Sequence, residues 1–272
     1  MRVTHSVSAV LVAVALSAAA LAAGCVGNIS DPVGTGLDST ATFSPPAPKL
    51  RRVLARQYVG SVRELLGDAA ASAATPPPDT PINGFDAVGA AQLNVGDEGV
   101  IAYEKSARAV ARAAVKDPQS KIASYLDCEP AGAHDAACYR SFLSRFGHVA
   151  FRRPLATEEL DDLADVAELA ATTYGTFDDG LQYSIAAVLE APSFLYRTEL
   201  GVASELTTDD GKVLSLRKLT GPEVATRMSF FLLDATPSED VLLAAAAGSL
   251  DTPEGVRALA EELLDDPRAR AS

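Results

Sequence analysis

Beyond residue 50, apolar residues recur mostly at helical spacing, and polar or proline-rich breaks cut the pattern into short helices. Leu50, Val53, Leu54, Tyr58, Val62, Leu65 and Leu66 form the first stripe, with Gly67 as its C-terminal stop. Arg51, Arg52, Arg56 and Arg63 lie on the other face, either as a solvated stripe or as an anion-binding one. Prolines over 75–81 then interrupt regular structure in a loop expected to wrap over the surface, and Asn83-Gly84 signals a turn. A second helix is expected from about Asp97 to Val115. Val100, Ile101, Tyr103, Ala107, Val110, Ala111 and Ala114 would be its apolar side, and Asp117-Pro118 its end.

A third helix runs from about Ala136 to Val149, and Pro154 in Phe151-Arg152-Arg153-Pro154-Leu155 forces the chain before it into an extended form. Thr157 is the expected cap of the next helix, whose first turn carries Glu158 and Glu159 at the positive end of the dipole. Its inner stripe is Leu160, Leu163, Val166, Ala167 and Ala170, and Gly175 breaks it. Phe177 to Glu190 follows with Leu181, Ile185, Val188 and Leu189 inward. Ala191-Pro192-Ser193 stops that helix, and Phe194-Leu195-Tyr196 reads as a short buried segment. Residues 204–219 are polar, with a small hairpin expected around Asp210-Gly211.

Three more helices have clear starts. Thr220 with Glu223 and Thr236 with Glu239 fit capping-box spacing, Pro237 suits a first helical position, and Thr252-Pro253-Glu254 repeats the theme. Val224, Met228, Phe231 and Leu232 mark the inner face of the first of them. The expected class is mainly α, a multi-helix, bundle-like body.

The N-terminus changes the picture. Arg2 and His5 precede the acid-free apolar run Val7 to Leu21, which is marginal for a bilayer span and suits a secretory signal. Leu21-Ala22-Ala23-Gly24-Cys25 resembles the bacterial lipobox, departing from it in Ala22; the alternative is an ordinary signal peptide with an incidental cysteine. The resemblance implies that Cys25 is lipidated and becomes the new N-terminus. Residues 26–49, rich in Gly, Pro, Ser and Thr, cannot bury enough apolar surface to order themselves and read as a tether. The expected organisation is a signal over 1–24, an acylated tether over 25–49, and helical modules over 50–149, 150–203 and 204–272.

Composition narrows the core and the partners. Hydrophobic residues make up 48% of the 272, yet Trp is absent and aromatics are 6%, so Leu, Val and Ala must build the interior. A net charge of −13 argues against a nucleic-acid partner. With Cys25 acylated, Cys128 and Cys138 remain, and a disulfide between them is the natural reading for an exported chain. The rival is a metal site of Cys128, His134 and Cys138, at spacings that zinc sites do not favour.

Several segments together resemble a family. Leu50-Arg51-Arg52-Val53-Leu54-Ala55-Arg56-Gln57-Tyr58 through Gly67 resembles the opening module of large exported bacterial proteins built of successive domains of unknown function. Phe151-Arg152-Arg153-Pro154-Leu155, then Phe194-Leu195-Tyr196-Arg197, looks like their central helical module. Leu219-Thr220-Gly221-Pro222-Glu223 through Leu232 looks like the start of the next, of the type called domain of unknown function 1592. Such proteins abound in planctomycetes and myxobacteria, and some carry c-type cytochrome domains. This chain has no Cys-x-x-Cys-His haem motif, and the third module looks incomplete, as in a fragment. The resemblance implies no established reaction.

The chain contains no GxSxG elbow, P-loop or HExxH helix, and no catalytic residue is assigned. His134 and His148 read as structural or solvent-facing. Arg152, Arg153, Arg197, Glu190 and Glu199 stand near apolar segments and must pair if buried. Arg197 or Arg152 is expected to pair with Glu199 or with a carboxylate of the 177–190 helix. The rival is an anion or sugar-acid pocket lined by these arginines. The leading reading is a lipid-anchored structural or binding module of the cell envelope, on the outer membrane, with other envelope proteins or polysaccharide as partners and no cofactor. The alternative is an accessory or enzyme of envelope polysaccharide processing or electron transfer.

Overall fold

The computed structural model describes residues 49–92, 94–207 and 211–270. The signal, nearly all of the tether, Cys25 and Asp210 lie outside the described residues.

Leu50 does not open a helix. Lys49–Arg52 is a strand, β1, and the first helix, α1, spans Ala55–Leu66. The helical stripe begins at Val53, and Leu50 is left exposed. Gln57 starts α1 by accepting at Oε1 from the Leu54 N–H, 3.2 Å away. After α2 (Asp68–Ser72), the proline segment runs to the Asn83-Gly84 turn, where both residues take positive φ (52° and 81°) and Ile82 and Phe85 exchange backbone hydrogen bonds. Asn-Gly suits that turn because both central positions need φ above zero. α3 (Asp86–Gln92) and α4 (Asp97–Lys116) follow. α4 lies where expected, but only its Tyr103, Ala107, Val110, Ala111 and Ala114 side is buried; Val100 and Ile101 face solvent.

α5 (Ile122–Tyr125) leads to the disulfide Cys128–Cys138, with Cα atoms 5.8 Å apart, which takes up both cysteines of the rival metal set. The carboxylate of Asp135 caps α6 (Ala136–Phe151) by accepting from the Cys138 N–H at 3.0 Å. Ring closure over ten positions constrains the unfolded chain, so reducing the bridge is expected to lower stability by about 2–3 kcal/mol. Urea denaturation with and without reductant measures it, and coincident curves would contradict it.

α6 carries the centre of the core: Tyr139, Phe142, Leu143, Phe146, Val149 and Ala150 are all buried. It runs two residues beyond the expected end and stops at Arg152, which takes the left-handed conformation (φ 60°). In α7 (Thr157–Tyr174) the cap is Ala156 rather than Thr157, with Glu159 accepting from its N–H at 2.9 Å. Leu163, Ala164, Ala167, Ala170 and Ala171 are its buried stripe. α8 spans Phe177–Glu190, with all four expected inward residues buried. It packs against both α4 and α7. At Gly180, a Cβ would stand 2.1 Å from the Tyr139 hydroxyl, so the α8–α6 approach needs glycine there.

One turn of helix, α9 (Pro192–Leu195), feeds strand β2 (Tyr196–Glu199), which pairs antiparallel with β1 and sets Arg51 opposite Arg197. The expected hairpin is present as β3 (Val202–Thr207) and β4 (Val213–Lys218), paired antiparallel. α10 (Gly221–Leu232), α11 (Glu239–Ala246) and α12 (Pro253–Asp265) complete the described helices, before a 3₁₀ turn at Pro267–Arg270. Thr220 and Thr252 start α10 and α12 as expected, but Ser238, not Thr236, caps α11. Thr236 is buried instead; its N–H donates to Ser61 Oγ (3.0 Å) and its hydroxyl to the Val149 carbonyl (3.2 Å). The class is mainly α. Ala225, Leu233, Ala235, Ala245, Leu250, Leu259 and Leu263 form a second small core among these last helices, while Phe230 and Leu242 join the main one.

Candidate functional site

The sequence-predicted arginines divide between two neighbouring arrangements, one internal and one open. Arg152 is internal. Its Nη2 donates to the carbonyls of Ser193 (2.6 Å), Phe194 (3.2 Å) and Tyr196 (3.0 Å), tying the end of α6 to α9 and β2. No carboxylate of the described residues lies within salt-bridge distance of it, so the expected acidic partner is replaced by main-chain oxygens. Burial first, then the nearby Arg197 and Arg153, lower its pKa. Its position at the C-terminus of α6 favours the positive charge that burial disfavours.

Arg153 makes the ion pair of this region, with Glu159 and in bidentate form, both N···O distances being 2.7 Å. Ser193 Oγ accepts a further bond from Arg153 Nη2 at 3.0 Å. The Arg153 hydrogen bond, with the Ala156 N–H and the charge of Arg153 adding to it, holds the Glu159 carboxyl at about 2, against burial, which acts the other way. A depressed folded pKa means that this stability is present above about pH 4.3 and is lost as pH falls toward 2. Glu159→Gln is therefore expected to flatten the stability–pH curve between about pH 4.3 and 2, by under about 1 kcal/mol because the pair is partly exposed. A slope there equal to the parent's would refute the assignment.

The open arrangement is a cleft of about 630 Å³ where β1, β2, the first turn of α1, α3 and the end of α10 meet. Five arginines line it: Arg51, Arg52, Arg56, Arg197 and Arg227, with Glu199 and Asp234 as the lining carboxylates. The ribbon register brings Arg51 and Arg197 side by side, a like-charge pairing that costs stability unless compensated. Glu199 compensates, with Oε2 at 3.2 Å from Arg51 Nε and 4.0 Å from Arg227 Nη1. Arg56 Nε lies 2.8 Å from Asp234 Oδ2, and Gln57 Nε2 donates to Asp234 Oδ1 at 3.0 Å. Arg52 is drawn inward to Asp79 (3.1 Å) and the Tyr103 hydroxyl (3.2 Å), so the proline loop packs inward at Asp79.

Arg197 differs from the others. Its guanidinium stands 4.8 Å from the centroid of the Phe230 ring, which Arg152 also approaches at 5.6 Å. Its Nε is buried without a hydrogen-bond partner, and no carboxylate of the described residues is within salt-bridge distance. Burial lowers its pKa, and Glu199 partly restores it. The rest of the wall is apolar: Leu54, Ala87, Ala91, Met228 and Phe231. Phe231, read from the sequence as inner, is 80% exposed at the rim, and Phe230 is the buried neighbour.

Of the residues singled out in advance, the cleft gathers Arg51, Arg52, Arg56, Arg197 and Glu199, whereas Arg63 does not line it and Arg152 and Arg153 stand behind it as internal ties. Glu190 pairs with none of these arginines; burial, then Glu104, raises its pKa. His134 Nδ1 is 3.0 Å from Glu168 Oε2, and His148 lies in the last turn of α6. Arg227, Phe230 and Asp234 are cleft residues that sequence reasoning did not single out. The basic run at 51–56, open to reading as a solvated or an anion-binding stripe, was the available signal for the cleft, although Arg51 and Arg52 were placed on a helix and lie on β1.

The family comparisons bear on the same segments. The model for PSD3, a protein of unknown function (DUF1587), matches residues 51–116. PSD5, a protein of unknown function (DUF1595), matches residues 138–199. PSD4, a protein of unknown function (DUF1592), matches residues 219–272. The chain carries three domains of unknown function in tandem. No curated protein and no solved structure matches the chain. The cleft draws on all three matched segments: Arg51 to Gln57 from the DUF1587 segment, Arg197 and Glu199 from the DUF1595 segment, and Arg227 to Asp234 from the DUF1592 segment.

Proposed function

We propose that this protein is an extracytoplasmic lipoprotein, anchored on the outer membrane through Cys25, whose helical body binds an anionic ligand of the cell envelope. The cleft carries the binding half of this reading. Five arginines line it, and after pairing with Glu199, Asp234, Asp79 and Asp86 they leave a positive excess in a chain of net charge −13, while its volume suits a small ligand. The lipobox resemblance at Cys25 supports the anchor. A multiply acylated cysteine would hold the chain durably, at about 0.8 kcal/mol per buried CH₂.

Two measurements test the two halves. Intact mass and membrane fractionation of the protein in a Gram-negative host, beside Cys25→Ser, are expected to give an acylated membrane form and an unmodified soluble one. A soluble parent chain with free Cys25 would end the anchoring. Thermal denaturation against acetate, phosphate, polygalacturonate and 4-phenylbutanoate is expected to show a raised midpoint with at least one anion, and a flat response to all four would end the binding.

A further inference from the structure

We infer that the cleft selects a carboxylate carried on an apolar body, rather than a phosphate or a polyanion; this rests on the anion-binding reading above and narrows it. Three of the five arginines already have carboxylates: Arg51 has Glu199, Arg56 has Asp234 and Arg52 has Asp79. Arg197 and Arg227 remain to meet a ligand. Arg197 brings a buried Nε with no acceptor, and Arg227 reaches Glu199 only at 4.0 Å with its side chain 59% exposed. Two guanidinium forks can take the two oxygens of one carboxylate, a planar head that matches their geometry. Inorganic phosphate would engage the same forks but leave the apolar part of the cleft unused.

The remaining surface sets the body of the ligand. Ala87, Ala91, Met228 and the rim ring of Phe231 leave an apolar wall in the same cleft. Phe231 is 80% exposed, so the fold itself buries little of its area and a ligand seated in the cleft would bury more. A ligand placing its carboxylate at Arg197 and Arg227 would lay its hydrocarbon part on this wall. Such a group comes from two sources, a free apolar acid or the C-terminal carboxylate of a polypeptide ending in an apolar residue.

Titration calorimetry on the whole chain separates these outcomes. The probes are 4-phenylbutanoate and an N-acetylated dipeptide ending in phenylalanine, each beside its primary amide, with acetate and inorganic phosphate as plain anions. At least one acid is expected to bind at least tenfold more tightly than its amide and than either plain anion, and the tighter acid names the source. Arg227→Gln, a change at an exposed side chain, is expected to weaken that acid about tenfold. Phe231→Ser is expected to weaken it while leaving any response to phosphate unchanged. The inference is overturned if amide and acid bind alike, if Arg227→Gln binds as the parent does, or if neither acid binds below about 10 mM. Binding of phosphate or polygalacturonate without the apolar acids would also overturn it, yet leave the anion-binding reading standing.

Discussion

Arg152→Met is expected to cost about 3–5 kcal/mol of stability, one of the two largest single-residue losses expected in the chain. The side chain is buried, and its Nη2 is the shared donor for the Ser193, Phe194 and Tyr196 carbonyls. Methionine fills most of the space but donates nothing. The three main-chain oxygens would then be left short of a partner in a site that water reaches poorly, at about 1–3 kcal/mol for each that stays unsatisfied. Losing a buried charge offsets part of this, because the guanidinium is itself desolvated and its Nη1 has no partner. Urea denaturation of parent and variant gives the difference. A loss under about 1 kcal/mol would mean that the carbonyls rehydrate and that Arg152 is not the tie described above.

Phe146→Ala is expected to cost a similar amount, about 3–5 kcal/mol, by a different mechanism. The ring is fully buried, stacked on Phe142 with centroids 5.3 Å apart and edge-on to Tyr125 at 5.5 Å. Removing it takes away the transfer free energy of the ring and leaves a cavity that helices α5 and α6 can only partly close. Phe231→Ala provides the contrast, since that ring is 80% exposed and its loss should change stability by about 0.5 kcal/mol or less. Equal losses at the two positions would refute the assignment of inner and outer faces.

That contrast shows what could be read in the sequence. Local signals worked where the deciding contacts are local. The apolar spacing and flanking breaks of 177–190 place α8 to the residue, and Thr220 with Glu223 and Thr252 with Pro253 start helices α10 and α12 as their spacing implies. Phe230 and Phe231 are adjacent and equally apolar, so periodicity alone left the inner ring to be chosen by one residue. Leu50–Arg52 was read as helix because Leu50 continues the α1 stripe, while the strand that captures it is far away in sequence. The acceptors for Arg152 are carbonyls set by a single helical turn and the start of a strand, and no side-chain pattern announces them. The open site was partly visible, in the basic run at 51–56 and in Arg197 with Glu199. Its assembly depends on the ribbon register, which composition and spacing do not encode.

The ribbon also sets an order of events during synthesis. Arg51 finds Glu199 148 positions later. At about 5–20 residues per second the first strand leaves the ribosome roughly 7–30 s before its partner, and must stay unpaired until then. Helix pairs with near neighbours, such as α7 with α8, can dock soon after they emerge, whereas closure of β1 on β2 waits on the entropy of a very long loop. The arginine cleft needs that closure and then α10 as well. Binding competence is therefore among the last properties the folding chain acquires, and a chain truncated near residue 190 should have no cleft.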